Sequence, residues 1–163
     1  MKPLIPRSPQ LNLRLDLDAP DPAARWRDGA CLPYLGGHLT LRLDTDHKMA
    51  MLEDQLLHLP LPPAATPRQI QDSAEAWLRQ EAARLIGTSV ELQARRLARE
   101  APRWAMSFAA RGGWVQTRAD GSLRFNWRLV EQPLAMIEQV VCRAVASLPV
   151  AGTTADLWGM QAA

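Results

Sequence analysis

The side chains in this sequence that could do chemistry are few and fall into separate groups. Near the C-terminal end, Glu138, Cys142 and Ala146 recur at four-residue intervals, which places them on one stripe of a helix. Two imidazoles at that spacing would hold a metal ion, but this stripe carries a carboxylate, a thiol and a methyl. As a nucleophile Cys142 would need a base within reach, and no histidine or acidic pattern accompanies it, so an inert small thiol is expected. His38, His47 and His58 all lie toward the N-terminus. They could converge on a metal, but they show no ligand-spacing motif, and strand histidines are mostly surface or partly buried residues. The last group is basic and aromatic: Arg103, Arg111, Arg118, Arg124 and Arg128 are opposed only by Asp120. A sheet face carrying Trp114, Arg124, Asn126 and Arg128 is therefore a candidate binding face for nucleic acid or an acidic peptide. The competing reading packs Trp127 in the core and uses Asn126 and Arg128 to tie down neighbouring backbone.

Several elements must position these groups. Leu134, Ile137, Val141, Val145 and Leu148 step by three and four, predicting a helix that begins just after Pro133 with this face in the core. Before it, residues 122–130 alternate as a strand, with Leu123, Phe125, Trp127 and Leu129 on one face. Asp120-Gly121 is a hairpin signal, and 104–109 and 114–117 read as two more strands, together a three-stranded antiparallel meander. Upstream, Thr66-Pro67 with Gln69 is a helix start, N-cap and capping box together. Ile70, Ala74, Trp77, Leu78 and Leu85 continue it to about residue 85; the helix is expected to loosen at Gly87-Thr88, resume from 90 to 99, and stop at Pro102. Its acidic residues alternate with Arg79, Arg84, Arg95 and Arg96, a solvated charge-balanced face. Residues 39–61 read as two or three antiparallel strands, the last two joined at Glu53-Asp54, with His47, Met49 and Met51 sharing a face. Residues 1–34 read as a proline-rich arm holding one strand, Leu11 to Leu17 in alternation, suited to pairing with a sheet edge.

Composition bounds the rest. The chain has 163 residues, 47% apolar and 22% charged, enough to bury a core as one domain over 35–163. A net charge of +2 does not by itself imply a nucleic-acid partner. Of the 19 basic residues only Lys2 and Lys48 are lysine, a bias that fits a GC-rich genome better than guanidinium recognition, since the arginines are spread throughout. Cys31 and Cys142 sit in unrelated contexts and suggest no disulfide, as in a reducing compartment. With no apolar run of membrane length and no signal-peptide pattern, no membrane partner is expected and the cytoplasm is the expected location.

The run Asp120-Gly-Ser-Leu-Arg-Phe-Asn-Trp-Arg-Leu-Val, followed by Pro133-Leu-Ala-Met-Ile-Glu-Gln-Val-Val, resembles the YgjP-like branch of the zincin metallopeptidases, related to the SprT-like proteins. In that family a Trp-Gly-Ser-Cys motif precedes a strand ending Asn-Trp-Arg-Leu, and a Val-Val-His-Glu-Leu-Ala-His helix follows. Here Asn126-Trp127-Arg128-Leu129 match, Trp77 and Trp114 stand where the family has tryptophan, and Val115-Gln116-Thr117 replace Gly-Ser-Cys. The resemblance spans about 35–158 and implies an α+β zincin-like fold: a small antiparallel sheet, a long helix and a vestigial active-site helix. It places Cys142 at the first zinc histidine, Arg143 at the glutamate base and Ala146 at the second histidine. The third falls on Thr153, or on Gly152 without an inserted residue, and Leu157-Trp158 stand for Phe-Trp. A catalytic zinc takes three protein ligands and lowers the pKa of its bound water toward ~7 for a nearby base. Zinc is the family's expected cofactor, but its ligands are missing here, and an arginine cannot accept the proton. The sequence thus implies a catalytically inactive homologue, no cofactor, and a binding or assembly role with a peptide or protein at the 123–130 strand edge. Its alternatives are a metal-dependent hydrolase with displaced ligands, or a nucleic-acid-binding protein using the basic segment 103–128.

Overall fold

The computed structural model describes residues 21–150. The leucine-alternating segment of the arm and the Thr153 and Leu157-Trp158 positions lie outside them.

A short helix, α1 (Pro22–Arg25), leads into a four-stranded sheet of β1 (Cys31–Tyr34), β2 (Gly37–Leu43), β3 (Met51–Glu53) and β4 (Leu56–Leu59), in spatial order β1-β2-β4-β3. The β1–β2 and β3–β4 pairs are antiparallel, but β2 and β4 run parallel, Thr40 facing Leu56. The turn between β3 and β4 falls at Asp54 and Gln55, both at positive φ (45° and 67°), the geometry of the tight hairpin turns that match strand twist. The segment 26–34 belongs to this sheet's core rather than to an arm. Trp26, Ala30 and Leu32 are buried, the Gly29 N–H donates to Leu41 at 2.8 Å, and Asp28 Oδ1 accepts from the Leu43 N–H at 2.8 Å.

The long helix α2 (Pro67–Arg96) is one continuous 30-residue element, ~45 Å at 1.5 Å per residue. Its start follows the capping box: the Thr66 hydroxyl accepts from the Gln69 N–H, and Gln69 Oε1 accepts from the Thr66 N–H at 2.9 Å. It does not loosen at Gly87. A Cβ there would sit 3.2 Å from the Trp104 ring, so the missing side chain makes room for that tryptophan instead of breaking the helix. Ile70, Ala74, Leu78, Ala82, Ile86 and Val90, every fourth residue, are buried. Alternating large and small side chains along this row let neighbouring elements approach closely.

The second sheet holds β5 (Trp104–Ser107), β6 (Val115–Thr117) and β7 (Leu123–Asn126) in the order β5-β7-β6, not as a meander. β7 is parallel to β5 and antiparallel to β6. In both sheets the short, exposed strand, β3 or β6, takes the edge, and the strand that follows it inserts at the centre. Leu57, Leu59, Leu123 and Phe125 on the inserted strands are buried, whereas Gln116 and Thr117 stay in water. Burial of the apolar strand outweighs pairing in chain order, and polar side chains suit an edge.

After Asn126 the chain leaves the sheet. Residues Trp127–Glu131 form a 3-10 helix capped by Asn126, whose Oδ1 accepts from the Arg128 N–H at 3.0 Å. Trp127, Leu129 and Val130 are buried on this turn, so the expected strand to residue 130 ends four residues early. The helix α3 (Leu134–Ser147) then starts directly after Pro133, as its periodicity predicts. Ile137, Val141, Val145 and Leu148 face the core, and Leu134, 47% exposed, does not. Arg99, just beyond α2, closes the far end of α3: its Nη1 donates to the carbonyls of Val145 at 2.7 Å and Leu148 at 3.0 Å.

Candidate functional site

On α3 the core stripe fixes where the other faces point. Cys142 is partly buried at the border of the core, while Glu138, Arg143 and Ala146 are exposed. One thiol is thus the only metal-binding side chain at the positions resembling ligand, base and ligand, and the adjoining guanidinium would repel a dication. These residues do not fit a three-ligand zinc site with a general base, and no chemical step is derived through one.

The proposed binding face is largely committed to the protein's own structure. Asn126 is 6% exposed; besides capping the 3-10 helix, it donates from Nδ2 to the Ala109 carbonyl at 3.4 Å. Arg128 pairs with Glu131 at 3.0 Å and lies over the Trp127 ring at 4.9 Å. Trp114 packs against the core, its carbonyl accepting from the Asn126 N–H at 2.8 Å. Arg124 is partly buried on β7 between Ala105 and Gln116. Because β7 is central, both of its edges are hydrogen-bonded, and the 123–130 segment offers no free edge for an added strand. Arg103 is paired with Asp120 at 3.7 Å, whereas Arg111 and Arg118 are exposed. The Asp120 carboxyl is held below its usual range first by the Ser122 hydroxyl and N–H, with Arg103 and Arg118 adding to the effect. Sequence reasoning placed Arg79 on a solvated face, whereas it lies over both the Phe108 ring (5.1 Å) and the Trp127 ring (5.3 Å) while paired with Glu75 at 3.0 Å. Its only sequence signal was helical spacing from Glu75, which reads equally well as surface charge balance.

The histidines divide. His38 is exposed and lines a groove of about 330 Å³ with Tyr34, Leu35, Leu52 and Gln55. His47, in the loop after β2, and His58, on β4, meet at Asp44 with ring centroids 4.8 Å apart. Asp44 Oδ1 accepts from the Asp46 N–H at 2.9 Å, and Oδ2 faces both imidazoles. Its carboxyl lies below the usual range, first through that Asp46 N–H and then through His58. Sequence reasoning named both histidines but missed Asp44, three residues before His47; the return of β4 beside β2 then brings His58 to that local pair.

A long helix beside two small sheets, with a capped 3-10 turn leading into a second helix, is a mixed α+β architecture consistent with a zincin-like metallopeptidase domain. The chain belongs to the YgjP-like family: the family's metallopeptidase-domain model matches residues 10–142, starting well upstream of the resemblance read at 35. Comparison with curated proteins and with solved structures returns no match. Among the described residues, no helix is long and apolar enough to cross a membrane.

Proposed function

We propose that this chain is a catalytically inactive member of the YgjP-like metallopeptidase family that serves as a binding or assembly module for a peptide or protein. The observation that carries this reading is the make-up of α3, where Cys142, Arg143 and Ala146 occupy the positions resembling ligand, base and ligand. Neither a methyl nor a guanidinium can bind the ion or take a proton from its water. The retained Asn126-Trp127-Arg128-Leu129 turn is accounted for by folding alone, since Asn126 caps the 3-10 helix and Trp127 fills the core. With β7 paired on both sides, an extended partner would add at the outer edge of β6 instead. Nucleic-acid binding is the weaker reading because Arg103 and Arg128 are engaged by acidic partners.

One observation favours a second reading, a metal-dependent hydrolase with displaced ligands: the meeting of Asp44, His47 and His58. The grooves beside His38 and beside Arg103, Arg118 and Asp120 are not lined by this cluster, so the second reading rests on these three side chains alone.

The test is hydrolysis of unstructured protein and peptide substrates by untagged protein supplied with Zn²⁺, with and without a chelator. No chelator-sensitive turnover is expected. Turnover that disappears in Cys142→Ala would overturn the inactive reading at α3, and turnover that disappears in His47→Ala would establish the displaced-ligand hydrolase.

A further inference from the structure

We propose that Asp44, His47 and His58 form a binding site for a divalent transition-metal ion of the zinc or copper type, away from the family's helix position and independent of it. Their donor atoms all lie within 4.8 Å of one another. Asp44 Oδ2 is 3.6 Å from His47 Nε2 and 3.3 Å from His58 Nδ1. Ligand atoms bound at ~2.0–2.1 Å around a tetrahedral ion are separated by about 3.3–3.4 Å. Two edges of such a tetrahedron therefore stand at nearly the required length. The imidazole-to-imidazole edge closes by adjustment of His47, which sits on a loop.

The scaffold holds the other two donors firmly. His58 is on β4, paired on both sides, and the Asp44 N–H donates to the Leu59 carbonyl at 2.9 Å, fixing the end of β2 against that strand. The Asp46 N–H occupies Asp44 Oδ1 and leaves Oδ2 to the imidazoles. This is the outer-shell arrangement that orients a ligating carboxylate. The side chains of His58, Asp44 and His47 are 12%, 22% and 28% exposed. They are shielded enough to strengthen the carboxylate's attraction for a cation, and open enough for the ion to enter. Two imidazoles and one carboxylate favour Zn²⁺, Cu²⁺ or Ni²⁺ over Mg²⁺ and Ca²⁺, which take oxygen ligands. Water can fill the fourth position. So can the thioether of Met51, which stands directly opposite His58 in the β3–β4 register and hence on the same sheet face. A plain Asp44–His58 hydrogen bond would account for one imidazole on this carboxylate, but not for the second. Bound there, the ion would clip loop 44–50 to β4, an inner strand of the first sheet.

Untagged protein stripped with chelator should bind one Zn²⁺ or Cu²⁺ per chain in calorimetric titration with the metal salt alone, and its thermal midpoint should rise with ion concentration. His47→Ala and His58→Ala should each weaken binding at least ~10–100-fold, the range already seen for loss of outer-shell partners. His38→Ala and Cys142→Ala should bind like the natural chain. Because His47 is on a loop, the metal-free unfolding midpoint of His47→Ala should match the natural protein, separating lost ligation from lost folding. Absence of stoichiometric binding by both ions would overturn the site, as would binding that survives both histidine substitutions or is lost in Cys142→Ala. Substrate turnover plays no part in these readouts, so this site and the inactive-enzyme reading fail independently.

Discussion

Tyr34 links the first sheet to the long helix through a single proton. Its hydroxyl donates to Glu81 Oε1 at 3.0 Å, and Glu81 is gripped by Arg84 through bonds of 2.6 and 3.0 Å. Burial, followed by the neighbouring Glu81 carboxylate, pushes the Tyr34 hydroxyl up to about 12, while Arg84 holds Glu81 below its usual range. An unfolded tyrosine releases its proton near pH ~10. Between there and about pH 12 the folded chain therefore binds more protons than the unfolded one, so stability falls as pH rises. The contribution is whole below pH ~10 and lost above the folded value. Tyr34→Phe should cost ~0.5–1.5 kcal/mol at neutral pH, the net worth of one hydrogen bond. It should also show a shallower fall in urea midpoint across that alkaline window; equal slopes in the two proteins would reject the link. None of this was legible in the sequence, because Tyr34 and Glu81 are 47 residues apart and only the docking of β1 on α2 joins them. The same holds in part at the histidines: Asp44 stands three residues before His47, but only strand order brings His58 to that pair.

Among the elements, legibility followed locality. The start of α2, the start of α3 and the hairpin at Asp120-Gly121 are set by residues adjacent in sequence, and all three form as their signals predict. What failed was non-local: the parallel β2–β4 and β5–β7 pairs, the continuity of α2 through Gly87, and the end of β7 at a 3-10 turn. Each depends on what packs against the segment, and the sequence of the segment itself carries no such information. The β1–β2 turn shows how tightly elements can be fitted. Leu35 and Gly36 have φ of 47° and 79°, and their N–H groups donate to Val130 at 2.9 Å and Glu131 at 3.1 Å, pinning the hairpin tip to the turn before α3. A Cβ on Gly36 would come 2.7 Å from Pro133 Cγ and 3.1 Å from its Cα. Gly29 has nearly the same φ, 78°, with nothing within 4 Å. Gly29→Ala should therefore cost only the left-handed backbone penalty, ~1–2 kcal/mol. Gly36→Ala should add an overpacking cost of ~1–3 kcal/mol. Chemical denaturation of the two variants measures the difference, and equal losses would mean that Pro133 yields freely.

At the scale of the whole molecule, two small sheets that could each be marginal alone share one apolar interior. Leu32, Leu41 and Leu57 from the first sheet and Phe125 from the second are fully buried in a single cluster with Ile86 of α2 and Ile137 and Val141 of α3. Sheets of so few strands need packing against a helix to be stable, and α2 supplies it along the every-fourth-residue row from Ile70 to Val90. Folding of this core does not require the exposed positions of α3, so Arg143 and Ala146 can vary without loss of the fold. A shared core also predicts that damage in one sheet is felt in both. Leu57→Ala should cost ~2–5 kcal/mol and Phe125→Ala ~3–5 kcal/mol through the cavities they leave. At roughly 2–4 °C per kcal/mol for a chain of this size, each lowers the thermal midpoint by about 5–20 °C. In both variants, tryptophan fluorescence and far-ultraviolet dichroism should report the same lowered midpoint, since a single cooperative transition moves every probe together. A Leu57→Ala protein whose fluorescence and dichroism transitions separate would show instead that the first sheet melts by itself, and that α2 holds two cores rather than one.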